Sequence, residues 1–461
     1  MLKNNRRKNL YFILIAVLTI SLAFGSLLFN GASAGNKTES LSSSSLTAAE
    51  TTGTANAYIT GNTKSKIAAS TASSSAAAQA ASGTTASSAS PSGAKTVPTT
   101  AAEKTPVLPS SLLPKKIVAG YYSSWSAYSG YTPDKINASK IDVIHYAFAG
   151  IGSDYRITAG DTAIDYANFT KLNAVKKNRH HLKTLISVGG WGNSSRFSAM
   201  AMTDYNRNIF AKSCVSFIKQ YGFDGVDIDW EYPVSGGCAG RPEDKVNFTL
   251  LMKKLREELN AQALRDGSYY YLTFAGGASS SFIGNVQPGQ LANYVDYAVD
   301  MTYDLHGPWD SRADLNAPLY TPTESSPQYK ISADSSLKLW LNAGFPADKL
   351  VMGIPFYGYV YDGAGSENGG LYQNFTSAKA AGYDRIASSY LNHPEYTKFF
   401  HPVGQVPYLY GSGKFISYDD TASIAKKARY AAQKGLRGVS AWELGYDRAS
   451  VLLTSAYDNF K

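Results

Sequence analysis

Cysteine is scarce in this 461-residue chain, which holds two, Cys214 and Cys238, beside six histidines. Cys and His fall nowhere at metal-ligand spacing, so no metal site and no other cofactor is expected. Two cysteines cannot build a disulfide framework. Cys214 reads as mid-helix and Cys238 as part of a loop beyond the next strand, at the opposite end, which argues against a bridge. Basic charge is missing where a nucleic-acid partner would need it. Residues 1–115 hold ten Lys or Arg against three Glu, a net of +7, and the remaining 34 basic and 32 acidic residues leave only +2. A nucleic-acid footprint needs clustered Lys and Arg on the folded part, and no such run occurs there.

Residues 1–34 read as a leader. Lys3, Arg6, Arg7 and Lys8 precede an apolar run over 10–29, and Ala32-Ser33-Ala34 follows as an A-x-A cleavage pattern. This is a secretory signal; the run is also about the length needed to span a bilayer, so an uncleaved anchor through 10–29 is the alternative. Either way the remainder is expected outside the cell. Residues 35–115 are nearly pure Ser, Thr, Ala and Gly without apolar periodicity, a composition that cannot repay the entropy of ordering, and are expected to form a disordered tether. No separate carbohydrate-binding module is evident.

From residue 116 to 461 the texture changes. Short β-rich apolar runs at 117–122, 142–148, 183–188, 225–230, 270–275, 296–303, 350–357 and 438–442 alternate with helical patterns such as 205–221, 245–259 and 423–434. Eight strands alternating with helices predict an α/β protein, a (β/α)₈ TIM barrel. An open doubly wound sheet would show a Gly-rich phosphate loop after its first strand; here that strand runs into GYYSSWSAY. Roughly sixty residues separate the seventh strand from its helix, too many for a structureless loop. A small α+β subdomain is therefore expected at 358–415, inserted between strand 7 and helix 7 on the C-terminal rim of the barrel. The aromatic content, 13% with 33 Tyr, suits a groove that stacks on sugar faces, though most of these rings must serve ordinary packing.

The segment FDGVDIDWEYP at 223–233 carries the chemistry. Alternate strand residues share a face, so Asp227, Asp229 and Glu231 point one way and Val226, Ile228 and Trp230 the other. Three carboxyl groups facing a barrel interior are costly, and they make sense at the C-terminal end of a strand, where barrel sites open. Carboxylates ~6–7 Å apart at Cα cannot all ionise near neutral pH, so a proton is shared and Glu231 stays available as a donor. A calcium loop would lack the strict apolar alternation. Asp224, before Gly225 at the strand start, is expected to serve structure.

FDGVDIDWEYP resembles the DxxDxDxE signature of glycoside hydrolase family 18, the chitinases. The resemblance runs from about 117 to 447 through GYYSSW, SVGGW, MTYD, GIPFYG, ISYDD and GVSAWEL, each weak alone and standing here in order at strand ends. It implies cleavage of β-1,4-linked N-acetylglucosamine polymers, chitin or chitooligosaccharides; a monomer is expected. Glu231 would protonate the glycosidic oxygen while the substrate acetamide attacks its own anomeric carbon, the substrate-assisted exception to two-carboxylate catalysis. Asp229 would hold the acetamido N–H and exchange charge with Glu231, and Asp227 would buffer Asp229. Tyr303 would hydrogen-bond the acetamido carbonyl and Asp304 the distorted sugar or its acetamido group. Tyr121 and Met301 would wall the subsite and Trp442 floor it, with Ser187 supporting Asp227. Phe148 joins the substrate-binding set, and Trp191, Tyr232 and Trp309 are candidate stacking platforms. The resemblance also implies cis peptides at 147–148, 231–232 and 442–443. Tyr359 stands where many such chitinases carry Arg, which puts one sugar contact in doubt. Two other readings are open: an endo-β-N-acetylglucosaminidase on N-glycans, and a secreted lectin, disfavoured by the presence of Glu231.

Overall fold

The computed structural model describes residues 108–235, 240–325 and 330–461. The leader, nearly all of the Ser/Thr/Ala-rich stretch, and Cys238 lie outside the described residues. No described helix is long and apolar enough to cross a membrane.

The strands in chain order are β1 (Ile117–Ser123), β2 (Val143–Ile151), β3 (Ile157–Ala159), β4 (Lys183–Gly189), β5 (Gly225–Asp229), β6 (Tyr271–Gly277), β7 (Tyr297–Met301), β8 (Leu350–Pro355), β9 (Tyr357–Asp362), β10 (Ser377–Gly382), β11 (Thr397–Phe400), β12 (Pro407–Gly411), β13 (Lys414–Ser417) and β14 (Gly438–Trp442). The order β1-β14-β8-β7-β6-β5-β4-β2 is parallel throughout and closes through a β1–β2 pairing, while β3 folds back antiparallel on β2. This is the expected eight-stranded parallel barrel, with helices between the strands.

The strand alternation sorts the core into two. Outward residues such as Val226, Ile228, Phe274 and Met352 pack on helices in the largest apolar cluster. Inward residues Ile117, Ala119, Val143, Leu185, Tyr271, Tyr297, Val299 and Val351 plug the N-terminal half of the barrel. Leu113 joins that plug, and the Leu112 amide donates to the Tyr271 hydroxyl at 3.0 Å. Ordered packing thus begins a few residues ahead of the boundary expected at 116.

Local chemistry fixes the helix ends. The helix Asp204–Tyr221 starts at Thr203, whose side chain accepts from the Asn206 amide, and stops at left-handed Gly222. Asp420, from the ISYDD run, accepts from the Ala422 and Ser423 amides and forms a capping box with Ser423, starting the helix Thr421–Gln433. Cys214 is a free thiol buried within the first of these helices.

The long β8-to-helix connection holds a five-stranded antiparallel sheet in the order β10-β9-β13-β12-β11. It occupies the span foreseen for the insertion. β9 leaves the C-terminal end of β8 after one residue, and the chain returns through β13 paired on β9, so the sheet stands on the C-terminal rim. Gly358 permits that junction: a Cβ there would lie 1.9 Å from the Ser417 carbonyl oxygen.

Candidate active site

The barrel interior turns from apolar to polar as it rises toward the C-terminal mouth. Above the apolar plug, His145 Nε2 and the Tyr297 hydroxyl lie 2.8 Å apart. One level higher is Asp227, fully buried, on which three hydroxyls converge: Thr273 at 2.5 Å, Ser187 at 2.8 Å and Tyr121 at 3.2 Å. Ser187 stands where expected. Tyr121, foreseen in the subsite wall, is buried below the groove and directs its hydroxyl to Asp227.

Asp229 is the next residue on the same face. It too is buried, and its Oδ1 has no hydrogen-bond partner. Burial, then the charges of Glu231 and Asp227, push its pKa well above the usual carboxylate range. Gly189 allows β4 to approach here: its φ is +114°, and a Cβ would meet the Asp229 carbonyl oxygen at 2.1 Å. Ser194 Oγ donates toward that carbonyl at 3.1 Å and accepts the Glu231 amide at 2.9 Å, locking the turn that carries the acid off the end of β5.

Glu231 sits just past β5, partly buried. Its pKa is raised to about 7, chiefly by burial and further by the Asp304 charge, against hydrogen bonds from Tyr232 and the Trp191 backbone that lower it. Glu231 therefore keeps a proton to higher pH than an ordinary carboxyl group, and burial with its charged neighbours biases Asp229 the same way, in line with the shared proton that strand alternation foretells.

The loop after β7 supplies the facing groups. Tyr303 is buried, its hydroxyl has no partner among the described residues, and burial with the charges of Asp229 and Glu231 raises its pKa. Asp304 takes φ +53°, with its amide donating to Asn316 Oδ1 at 2.9 Å. Asp304 Oδ1 accepts from the hydroxyls of Tyr357 and Tyr359, the latter at 2.7 Å, while the residue is open to solvent on its other side. Met301 is buried at the end of β7.

Aromatic rings form the groove. Phe148 stacks on Trp442 with centroids 5.7 Å apart and planes 24° apart. Gly190, with φ +81°, makes room: a Cβ there would meet the Phe148 ring at 2.6 Å. Trp191 and Trp309 are 76% and 59% exposed, available to a ligand rather than to the core. Trp309 stands edge-on to Tyr359 at 6.0 Å, and Tyr232 packs edge-on to Phe282. The peptides Ala147–Phe148, Glu231–Tyr232 and Trp442–Glu443 are all cis, as the resemblance implies.

Sequence reasoning missed several members. Trp125, 44% exposed, lies 6.3 Å from Phe148 and 6.5 Å from Trp442; its place in GYYSSW was the available signal. Thr273, Ser194 and Asn316 come from segments with no motif. Asp224 lies at the far end of β5, bonded to Lys176 Nζ at 2.9 Å and to the Thr184 amide at 2.8 Å, in keeping with a structural part.

The family model described as glycosyl hydrolases family 18 matches residues 117–447. Chitinase A1 of Niallia circulans is 38% identical over 401 residues, covering 73% of this chain and 57% of that protein. Probable chitinase 2 of Drosophila melanogaster is 33% identical, covering 72% of each. Among solved structures, a family 18 N-acetylglucosaminidase from Paenibacillus barengoltzii superposes with a TM-score of 0.69 at 35% identity, over 75% of this chain and 99% of that one. Barrel, acidic ladder and sequence match agree, and this chain belongs to glycosyl hydrolases family 18.

Proposed function

We propose that this chain is a chitinase that hydrolyses β-1,4-linked N-acetylglucosamine polymers with retention of configuration. The observation that carries the reading is Glu231: an acid at the mouth of the barrel whose pKa, raised to about 7, keeps a proton on it over a range where ordinary carboxyl groups have lost theirs. Glu231 protonates the glycosidic oxygen. The substrate acetamide oxygen attacks the anomeric carbon, forming an oxazolinium ion that water then opens, with Glu231 as base. The Asp229 carboxyl, whose unpartnered Oδ1 is closed off from solvent here, suits the acetamido N–H after a turn of its side chain, and the free hydroxyl of Tyr303 suits the acetamido carbonyl. Asp227, held by three hydroxyls, supports Asp229 from below. Trp442 and Phe148 offer a stacking surface to the reacting sugar, and Trp191 and Trp309 to its neighbours. The basic and apolar stretch over residues 3–29 supports export.

Time-resolved products from chitohexaose test the reading and separate endo from exo action. The first-formed anomer must be β, and a thiazoline mimic of the oxazolinium must inhibit. An α-anomer overturns the mechanism. Cleavage of a high-mannose glycoprotein with chitohexaose left intact redirects the activity to N-glycans, and tight chitooligosaccharide binding without turnover makes the protein a lectin.

A further inference from the structure

We propose that Tyr359 is a positioning residue of this active site: beside Tyr357, it fastens the Asp304 carboxylate within electrostatic reach of Glu231, so that the inserted sheet governs the working pH of the general acid. The inference rests on the chitinase reading and adds a role for the insertion that the barrel residues alone do not supply.

The geometry is a three-membered clamp. Tyr357 and Tyr359 are alternate residues of β9, so both side chains leave the same face of the inserted sheet. Both are buried, and both hydroxyls donate to the same oxygen, Asp304 Oδ1. The Asp304 backbone is pinned from the other side by Asn316. Tyr359 is itself braced, since β9 pairs with β10 and β13 and Trp309 stands against its ring. Asp304 therefore cannot swing away from the groove while both phenols hold it.

Charge gives the clamp a consequence. Around Asp304 and Glu231 stand Asp229 from β5, Tyr232 beyond β5, Tyr303 beyond β7, Tyr357, Tyr359 and Tyr361 from β9, and Tyr446 beyond β14. Every one is an acid or a phenol. Among the described residues no Lys, Arg or His forms an ion pair with Asp227, Asp229, Glu231 or Asp304. Burial raises the Asp304 pKa, the two phenols work against that rise by stabilising the anion without cancelling its charge, and that charge acts on Glu231 to favour its protonated form. A cation in place of Tyr359 would bond Asp304 equally well and cancel the field.

The test compares kcat against pH on chitohexaose for the wild type, Tyr359→Phe and Tyr359→Arg. The alkaline limb reports loss of the Glu231 proton in the enzyme–substrate complex. Tyr359→Phe removes one donor, so Asp304 protonates more readily or moves, and the limb shifts to lower pH by about half a unit. Tyr359→Arg shifts it further, by about one unit, so that above the limb kcat falls roughly ten-fold relative to wild type while the acid plateau is kept. Thermal melts show which variants fold, and if Tyr359→Phe does not, Tyr359→Arg decides alone. Superimposable limbs, or a raised KM with no change in the kcat profile, overturn the proposal and leave Tyr359 a packing or sugar-contact residue. A wild type that does not cleave chitohexaose defeats instead the functional reading on which the proposal rests.

Discussion

The two ends of β5 treat carboxylates in opposite ways. At the N-terminal end Asp224 has what a carboxylate needs: a lysine ammonium at 2.9 Å and a backbone amide at 2.8 Å. Toward the C-terminal end compensation thins. Asp227 keeps three hydroxyls but no cation, Asp229 has an oxygen with no partner, and Glu231 is raised to about 7. All four side chains hang from one eight-residue stretch of backbone, so the strand itself does not decide what they do. What surrounds each end does: solvent and a neighbouring helix below, a cluster of acids and phenols above. On this stretch the carboxylate with its partners in place serves structure, and the ones short of partners are disposed to keep a proton.

That contrast is tested hardest at Glu231. Glu231→Gln keeps shape and cannot donate as an acid. General acid catalysis contributes ~10²–10⁴-fold, and kcat on chitohexaose should fall by at least that much with KM little changed. The stability effect runs the other way. Because the folded state raises the pKa of Glu231, folding is favoured while the group stays protonated in both states. That contribution is lost as pH climbs from the unfolded pKa, ~4.3, through the folded value of about 7. The variant should therefore melt higher than wild type above neutrality and converge with it below ~pH 4. A variant less stable than wild type at pH 8 would mean that the ionised acid is well compensated after all.

Asp229→Asn should have the next largest effect, a loss of ~10²-fold or more in kcat with a narrowed pH profile, since the two groups set each other's protonation. Wild-type kcat should fall as pH rises past about 7, where Glu231 loses its proton. An unchanged profile in Asp229→Asn would uncouple the pair. Tyr303→Phe removes a single orienting hydroxyl, and a loss of roughly ten-fold is expected, mostly in kcat. A change confined to KM would place that hydroxyl on a remote part of the sugar.

The sequence was most readable where one period governed one face. Alternation alone puts Asp227, Asp229 and Glu231 on one face, and the eight β runs match the barrel strands to within a residue or two at most ends. The length of chain between β8 and its helix required an insertion. Contacts between segments far apart in the chain were not readable. Thr273 and Ser194 reach β5 from neighbouring elements, and nothing local marks them as partners of Asp227 and Glu231. Tyr121 shows the same limit from the other side: its motif placed it near the site, but only packing reveals that it lies under the groove. Trp125 could have been added, since an exposed Trp at a strand end is conspicuous once the strand is assigned. Tyr359 was visible as a departure from the family pattern, yet its bond to Asp304 depends on how β9 leaves the barrel.

The smallest effect on activity belongs to Asp224, and it completes the comparison. Asp224→Ala deletes the acceptor for the Thr184 amide and the partner of Lys176 at the base of β4 and β5. The Lys–Asp pair is partly solvated, so its share is small. The unsatisfied backbone donor dominates, and the loss of stability should be about 1–3 kcal/mol, read from urea denaturation. The two strands stay paired through Leu185–Gly225 to Gly189–Asp229, and Asp227 keeps its hydroxyl donors, so the upper ladder is undisturbed. Turnover of chitohexaose, measured well below the denaturation midpoint, should stay within about two-fold of wild type and keep its pH profile, as expected for a site independent of the reacting groups. If this variant lost activity or shifted the alkaline limb while still folded, the two ends of β5 would be coupled, and the division between a structural base and a catalytic crown would fail.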